Sequence, residues 1–187
     1  MIVERLAIPD VLLITPRRFG DNRGFFSETW NGARYSAAGI TATFVQDNHS
    51  VSAPTGTLRG LHCQIAPHEQ GKLIRCVRGA IWDVAVDIRH GSPSFGQYVG
   101  IVLSRDNWQQ LWIPPGFLHG FCTLEPDSEV IYKVSGEYDR GSERGVIWND
   151  PDLALPWPVK DVVLSEKDSS LPRLKDCPVW FHGVICK

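Results

Sequence analysis

The residues of this chain best suited to chemistry are a histidine and a lysine that lie ten positions apart, His62 and Lys72. Each belongs to a segment, residues 58–64 and 70–76, that otherwise resembles a buried strand. A neutral imidazole can remove a proton from a carbon beside a ketone, and an ammonium group can stabilise the enolate oxygen that forms. The pair therefore predicts proton transfer next to a carbonyl group.

The elements that must position these residues are predicted to be short strands separated by Gly, Pro, Asn and Asp. Residues 80–88 alternate, with Trp82 and Val84 on one face and Asp83 and Asp87 on the other. Roughly ten strands spaced about 8–14 residues apart are typical of an antiparallel sandwich or barrel. Further strands are expected at residues 98–103, 110–113, 120–124, 130–135 and 146–148, and one short helix at residues 32–38.

The turn that ends at His119 narrows the choice of all-β fold, because it matches the P-x-G-x-x-H turn found late in cupin barrels. We therefore expect an all-β protein, a cupin-type jelly roll (double-stranded β-helix) with short peripheral helices. No repeat or linker divides the chain, so residues 1–187 are expected to form a single domain, with a peripheral tail from about residue 170.

Metal binding is the first alternative that this fold raises. Metal-binding cupins carry H-x-H and then Glu where this chain has His62, Gln64 and Glu69. His62, Glu69 and His119 could still supply two histidines and a carboxylate. An amide oxygen is a poor ligand for the transition metals of such barrels, so we expect no metal and no cofactor.

Composition excludes several classes of function. The formal net charge of −2 and 21% charged residues give no basic surface for nucleic acid. No apolar run approaches the roughly 18 residues of a membrane span. The five cysteines are odd in number and widely spaced, which favours reduced thiols, and residues 1–5 lack the layout of a signal peptide. We expect a cytoplasmic protein.

A series of short motifs spreads from about residue 2 to residue 168. They are F-G-D-x-R-G-F-F-x-E at 19–28, F-V-Q-D-N-H-S at 44–50, L-R-G-L-H at 58–62, Q-G-K-L-x-R-C at 70–76, W-D-V-A-V-D at 82–87, S-P-S-F-G at 92–96, Q-L-W-I-P at 110–114, G-F-x-H-G-F at 116–121, Y-K at 132–133, W-N-D at 148–150 and L-S-E-K-D at 164–168. In this order and spacing, the chain resembles the dTDP-4-dehydrorhamnose 3,5-epimerases of deoxysugar biosynthesis.

The resemblance implies a metal-free cupin that inverts C3 and C5 of dTDP-4-keto-6-deoxy-D-glucose and yields dTDP-4-keto-L-rhamnose. It also implies a homodimer in which N-terminal strands are exchanged between subunits. Both carbons flank the C4 ketone, so each can lose a proton if the enolate is stabilised.

Catalytic roles are implied by the same resemblance. His62 would be the base, and Asp168 would hold its imidazole in the right tautomer. Lys72 would face the C4 oxygen, and Tyr132 would be the acid on the far face of the sugar.

Substrate-binding roles follow for a second set of residues. Arg23 and Arg59 would bind the diphosphate through forked donors, and Tyr138 would stack on the thymine ring. His119 would contact the sugar. The remaining positions that match the family's substrate contacts are Phe26, Glu28, Gln46, Asn48, Glu143 and Lys167.

Three other functions stay open at this point. A relative that inverts only C3 or only C5 would keep His62, Lys72 and Asp168, although the presence of Tyr132 favours inversion at both carbons. A metal-dependent cupin would hold stoichiometric metal. A non-catalytic module would bind a sugar nucleotide without exchanging its protons.

Overall fold

Two antiparallel β-sheets face each other in the computed structural model, which describes residues 1–183. The strands are β1 (Ile2–Arg5), β2 (Leu12–Thr15), β3 (Arg18–Asp21), β4 (Gly24–Ser27), β5 (Gln46–Ser52), β6 (Leu58–Gln64), β7 (Lys72–Arg78), β8 (Ala80–Asp87), β9 (Arg89–His90), β10 (Tyr98–Ser104), β11 (Gln110–Ile113), β12 (Phe117–Thr123), β13 (Ser128–Val134), β14 (Glu143–Gly145) and β15 (Phe181–His182). The helical elements are α1 (Gly32–Ala37), α2 (Glu166–Ser169) and a 3₁₀ turn (Leu174–Asp176).

The order of the strands is that of a jelly roll. One sheet has six strands in the order β1-β2-β11-β7-β13-β5, and the other has five in the order β10-β8-β12-β6-β14. From β5 to β8 and from β10 to β14, successive strands alternate between the two sheets. Apolar residues of both sheets meet in one core between them. The predicted all-β jelly roll is confirmed.

Strand β8 differs from an ordinary half-buried strand because both of its faces are covered. Asp83 and Asp87 are fully buried although they alternate with apolar residues. On the opposite face, Trp82 packs with the C-terminal residues Trp157 and Trp180 in a second apolar cluster. The C-terminal segment covers the outer face of β8. Asp83 and Asp87 therefore lie on its inner face, which points towards the core between the two sheets.

Most predicted elements agree with the structure to within a few residues. Strand β11 has the predicted bounds, β8 and β10 differ by one residue, and α1 ends one residue early. The strand predicted at residues 146–148 is wrong, because the pairing with β6 is made three residues earlier by β14. Val146 still exchanges backbone hydrogen bonds with Leu61, and its apolar character reflects burial in the second cluster.

Short helices complete the fold. Asn31 caps α1 by accepting a hydrogen bond from the backbone N–H of Arg34, and α1 buries Tyr35 on the outer face of the six-stranded sheet. Ser165 caps α2 in the same way at Asp168. Across residues 1–183, no helix is both long enough and apolar enough to span a bilayer.

Candidate active site

A cavity of about 460 Å³ opens between the two sheets and is lined by all four predicted catalytic residues. Strands β6, β7, β12 and β13 and helix α2 each contribute side chains to its wall. The predicted site residues that line it are Arg59, His62, Lys72, His119, Tyr132, Lys167 and Asp168.

His62 and Asp168 form the best-defined pair in this cavity. The imidazole Nε2 lies 2.7 Å from Oδ1 of Asp168, which is 4% exposed, and the backbone N–H of Gly60 donates to the other carboxylate oxygen. Burial raises the pKa of Asp168, but the hydrogen bond and charge of His62 outweigh burial and leave that pKa below its usual value. A carboxylate can only accept, so Nε2 carries the proton and Nδ1 is left as the basic nitrogen.

The backbone holds His62 in a fixed place. It lies on an inner strand of the five-stranded sheet, paired with His119 on β12 and with Gly145 on β14. The register of the β12–β6 pair shifts between His119 and Phe121, where β6 contains one extra residue near Gly60. A Cβ at Gly60 would lie 2.7 Å from the carbonyl oxygen of His119, so only glycine permits this close approach of the strands.

Lys72 and Tyr132 lie on the opposite wall, because β7 and β13 belong to the six-stranded sheet. The ammonium group of Lys72 makes no hydrogen bond or ion pair within residues 1–183, and burial lowers its pKa. Burial raises the pKa of Tyr132, so its hydroxyl keeps its proton at neutral pH. The wall that faces His62 therefore carries a cation and a proton donor.

A second histidine–carboxylate pair lies beside the first. Nε2 of His119 lies 3.1 and 3.0 Å from the two carboxylate oxygens of Asp83, which is fully buried on β8. Burial lowers the pKa of His119 and outweighs the opposing effect of Asp83, so the imidazole is neutral.

Polar side chains at the rim of the cavity form a hydrogen-bonded network. Lys167 forms a 2.6 Å ion pair with Glu143, and the hydroxyl of Tyr138 donates to Glu143 at 3.0 Å. Burial raises the pKa of Glu143, but these two partners more than offset it and hold the pKa below its usual value. The side chain of Gln46 donates to Asn48 at 2.7 Å and accepts from the backbone N–H of Tyr138.

Arg59 is fixed by strand β5. Its Nε donates to the hydroxyl of Ser52 at 3.2 Å, and one terminal nitrogen donates to the carbonyl oxygen of Val51. The guanidinium group is exposed at the cavity, where it is available to an anionic ligand.

Seven predicted binding residues do not line this cavity. Gln46, Asn48, Tyr138 and Glu143 belong to the hydrogen-bonded network at its rim, whereas Arg23, Phe26 and Glu28 lie elsewhere in the chain. Arg23 and Phe26 lie on the β3–β4 hairpin, with the Arg23 side chain 85% exposed and paired with Asp21, and Phe26 70% exposed. Glu28 forms an ion pair with Arg34 and lines a different cavity of about 360 Å³.

The structure adds residues that sequence reasoning missed. Asp83 was placed opposite an apolar face and given no role, since nothing in the alternation shows that both faces of β8 are covered. Ser50 also lines the cavity, and its buried hydroxyl has no hydrogen-bond partner within the described residues. Only its place in the strand β5, two residues from Asn48 on the same face, could have pointed to it.

The alternative metal set is not assembled. Within residues 1–183, no three histidine, cysteine, aspartate or glutamate side chains lie close enough together to hold a metal ion. His62 and His119 each donate to a separate carboxylate instead.

A proton acceptor and a proton donor on opposite walls of one jelly-roll cavity define a site of the isomerase class, one suited to inverting a carbon beside a ketone. The family model described as dTDP-4-dehydrorhamnose 3,5-epimerase matches residues 5–176. The chain belongs to the dTDP-4-dehydrorhamnose 3,5-epimerase family.

Individual relatives agree with this assignment. The dTDP-4-dehydrorhamnose 3,5-epimerase of Pseudomonas aeruginosa is 53% identical over 170 residues, which cover 90% of this chain and 93% of the relative. The dTDP-6-deoxy-D-glucose-3,5-epimerase of Legionella pneumophila, solved with dTDP-4-keto-L-rhamnose, has a TM-score of 0.94 at 42% identity and covers 97% of this chain and 98% of its own. A 3′-monoepimerase from Streptomyces bikiniensis, solved with dTDP-quinovose, has a TM-score of 0.85 at 32% identity, with 91% and 86% covered.

Proposed function

We propose that this protein converts dTDP-4-keto-6-deoxy-D-glucose into dTDP-4-keto-L-rhamnose by inverting C3 and C5. The observation that carries the proposal is the placement of His62 and Tyr132 on facing sheets of one cavity, with Lys72 beside Tyr132. Inversion requires that a proton leave one face of the sugar and return on the other, which this arrangement allows.

The chemistry proceeds by the same steps at each carbon. Nδ1 of His62 takes the proton, the C–H electron pair forms a double bond to C4, and the carbonyl electrons move onto the C4 oxygen. The ammonium group of Lys72 stabilises this enolate. The carbonyl then re-forms while the carbon takes the hydroxyl proton of Tyr132 on the opposite face. Solvent removes the proton from His62 and reprotonates Tyr132.

Nucleotide binding is assigned to the rim. Arg59 would donate to the diphosphate, and the 57% exposed ring of Tyr138 offers a surface on which thymine can stack. The hydrogen bond of Tyr138 to Glu143 and the ion pair of Glu143 with Lys167 hold that ring next to the cavity.

Inversion at a single carbon is the second candidate, since a monoepimerase shares the fold. The higher identity of this chain to 3,5-epimerases favours inversion at both carbons.

Deuterium uptake from D₂O tests the proposal. The protein, incubated with dTDP-4-keto-6-deoxy-D-glucose and a chelator, is expected to introduce deuterium at both C3 and C5, as measured by NMR. Uptake at one carbon would establish a monoepimerase. Uptake that requires added metal would favour the metal-dependent cupin, and tight binding without uptake would favour a non-catalytic module.

We further propose that the protein is a homodimer with exchanged N-terminal strands, so that the β3–β4 hairpin of one subunit completes the site of the other. Phe19, Phe25 and Phe26 are each more than half exposed on this hairpin, and exposed aromatic clusters mark protein interfaces. Exchange would also bring the exposed Arg23 to a diphosphate.

Mixing two defective variants tests the exchange. Arg23→Ala is expected to lower kcat/KM about 10- to 100-fold through loss of a charge-assisted contact to phosphate. After unfolding and refolding together, Arg23→Ala and His62→Ala should recover about a quarter of wild-type activity, because half of the dimers are mixed and each has one intact site.

The same variants mixed without refolding are the control. No recovery after refolding, or a monomer by light scattering, would contradict the exchange of strands.

A cytoplasmic location is also proposed. Cys63, Cys76, Cys122 and Cys177, the cysteines within the described residues, are all free thiols, which suits a reducing compartment.

A further inference from the structure

Asp83 is a buried carboxylate for which the proposed chemistry has no direct use. It is 0% exposed, and His119 is the only side chain within residues 1–183 that donates a hydrogen bond to it. Burial of a carboxylate with a single partner is costly. Such a group is therefore expected either to stabilise the core or to act on a neighbour that meets the substrate.

The pair fixes the tautomer of His119. Both carboxylate oxygens lie at hydrogen-bond distance from Nε2, and a carboxylate only accepts, so the neutral imidazole carries its proton on Nε2. Nδ1 is then an acceptor. This atom makes no hydrogen bond within residues 1–183 and is not among the buried polar atoms that lack a partner. Since His119 lines the cavity, Nδ1 is accessible from it.

We propose that Asp83 is a positioning residue that makes His119 an obligate hydrogen-bond acceptor for a ring hydroxyl of the substrate. On a 4-keto-6-deoxyhexose linked through C1, the free hydroxyls are at C2 and C3, so one of them is the donor. The proposal rests on the proposed function for the identity of the sugar. It explains why a carboxylate is buried behind a residue that does not itself transfer protons.

The position of His119 supports a role in orientation. It is paired with the base His62 on the neighbouring strand, so a hydroxyl held by His119 lies on the same wall as the base. A contact there fixes the sugar relative to His62 and leaves the opposite wall to Lys72 and Tyr132. Reversing the tautomer would place an N–H donor against the hydroxyl and remove the acceptor.

Nitrogen NMR of histidine-labelled protein tests the tautomer directly, without substrate. His119 is assigned among the six histidines by its absence in His119→Gln. Wild type is expected to show a proton on Nε2. Asp83→Asn keeps an oxygen that can accept this proton and should retain the pattern, whereas Asp83→Leu should lose it. A proton on Nδ1 in wild type would overturn the proposal with no variant needed.

Substrate analogues test the function of the tautomer. Wild type should lose about 10- to 100-fold in kcat/KM for exchange at C5 with either the 2-deoxy or the 3-deoxy analogue. Asp83→Leu should show a similar loss with the natural substrate. It should show no additional loss with the analogue that wild type uses poorly. Asp83→Asn should restore most of the difference. If Asp83→Leu does not fold, the tautomer of wild type and the comparison of wild type with Asp83→Asn still test the proposal.

The outcomes separate this inference from the proposed function. Equal losses in Asp83→Leu for the natural substrate and both analogues would mean that Asp83 only stabilises the core. No exchange by wild type with the natural substrate would instead contradict the proposed function. Calorimetric binding of the same three ligands would then still measure the hydroxyl contact, and equal affinity for all three would overturn it.

Discussion

Replacement of His62 by alanine is expected to abolish deuterium exchange at C3 and C5 together, with a loss of at least about 10⁴-fold in kcat. His62 lines the cavity, and its Nε2 is hydrogen-bonded to the carboxylate of Asp168 on α2. Its Nδ1 is therefore the nitrogen that can take a proton from the substrate. One base serves both carbons, so the two exchange signals should disappear in parallel. NMR of the substrate in D₂O measures both signals in one sample.

Two companion variants sharpen this expectation. Asp168→Asn keeps the imidazole but no longer fixes its tautomer, and should lower kcat by about 10²–10⁴-fold. His90→Ala removes an exposed histidine of β9 that lies outside the cavity, and should leave exchange unchanged. Substantial exchange at either carbon in His62→Ala would show that a different group is the base.

Much of this site could be predicted from sequence, because the alternation of residues along a strand shows which side chains lie on the same face of the sheet. His62 and Lys72 lie in segments whose apolar residues predict buried strands, and the structure places both side chains on the cavity. His119 followed from its turn motif. These are local signals, which require only the correct secondary structure.

Asp168 and Asp83 show where such reasoning ends. Asp168 is 106 residues from His62 in sequence and lies in a Ser-Glu-Lys-Asp run that resembles a solvated surface, so only the family resemblance raised it. Asp83 was missed for a related reason. Alternation predicts two faces, but whether the second face is covered depends on where a distant C-terminal segment packs.

The positions of Arg23 and Phe26 have a different cause. Their motif predicts binding residues, yet within one chain the hairpin that carries them stands apart from the cavity. In the proposed dimer, a second subunit completes the site, and pairing rules for a single chain cannot assign residues across subunits.

Replacement of Lys72 by methionine is expected to lower activity while it stabilises the fold. Removal of the ammonium group leaves the enolate without a cation, which should lower kcat by about 10²–10³-fold. The methionine side chain is of similar length and needs no hydration. No carboxylate within residues 1–183 forms a close ion pair with Lys72; the charges of Asp83 and Glu143 favour its charged form, but burial outweighs them.

The sign of the stability change follows from the pKa of Lys72, which burial lowers. The folded chain then binds this proton less tightly than the unfolded chain does, so the charge opposes folding at every pH below the folded-state pKa. Lys72→Met removes that penalty and should raise the free energy of unfolding by about 1 kcal/mol, or Tm by about 2–4 °C, near neutral pH. The advantage should shrink as the pH rises from the folded-state pKa towards the ordinary value of 10.5.

Thermal unfolding of both proteins across this pH range measures the difference, and Lys175→Met serves as a matched control. Lys175 is exposed on the 3₁₀ turn, so its replacement should change Tm little and leave exchange intact. A Lys72→Met protein that is less stable than wild type at neutral pH would mean that the ammonium group contributes to the fold. A stability gain together with lost exchange would instead show that this cation is kept for its effect on the enolate and at the expense of stability.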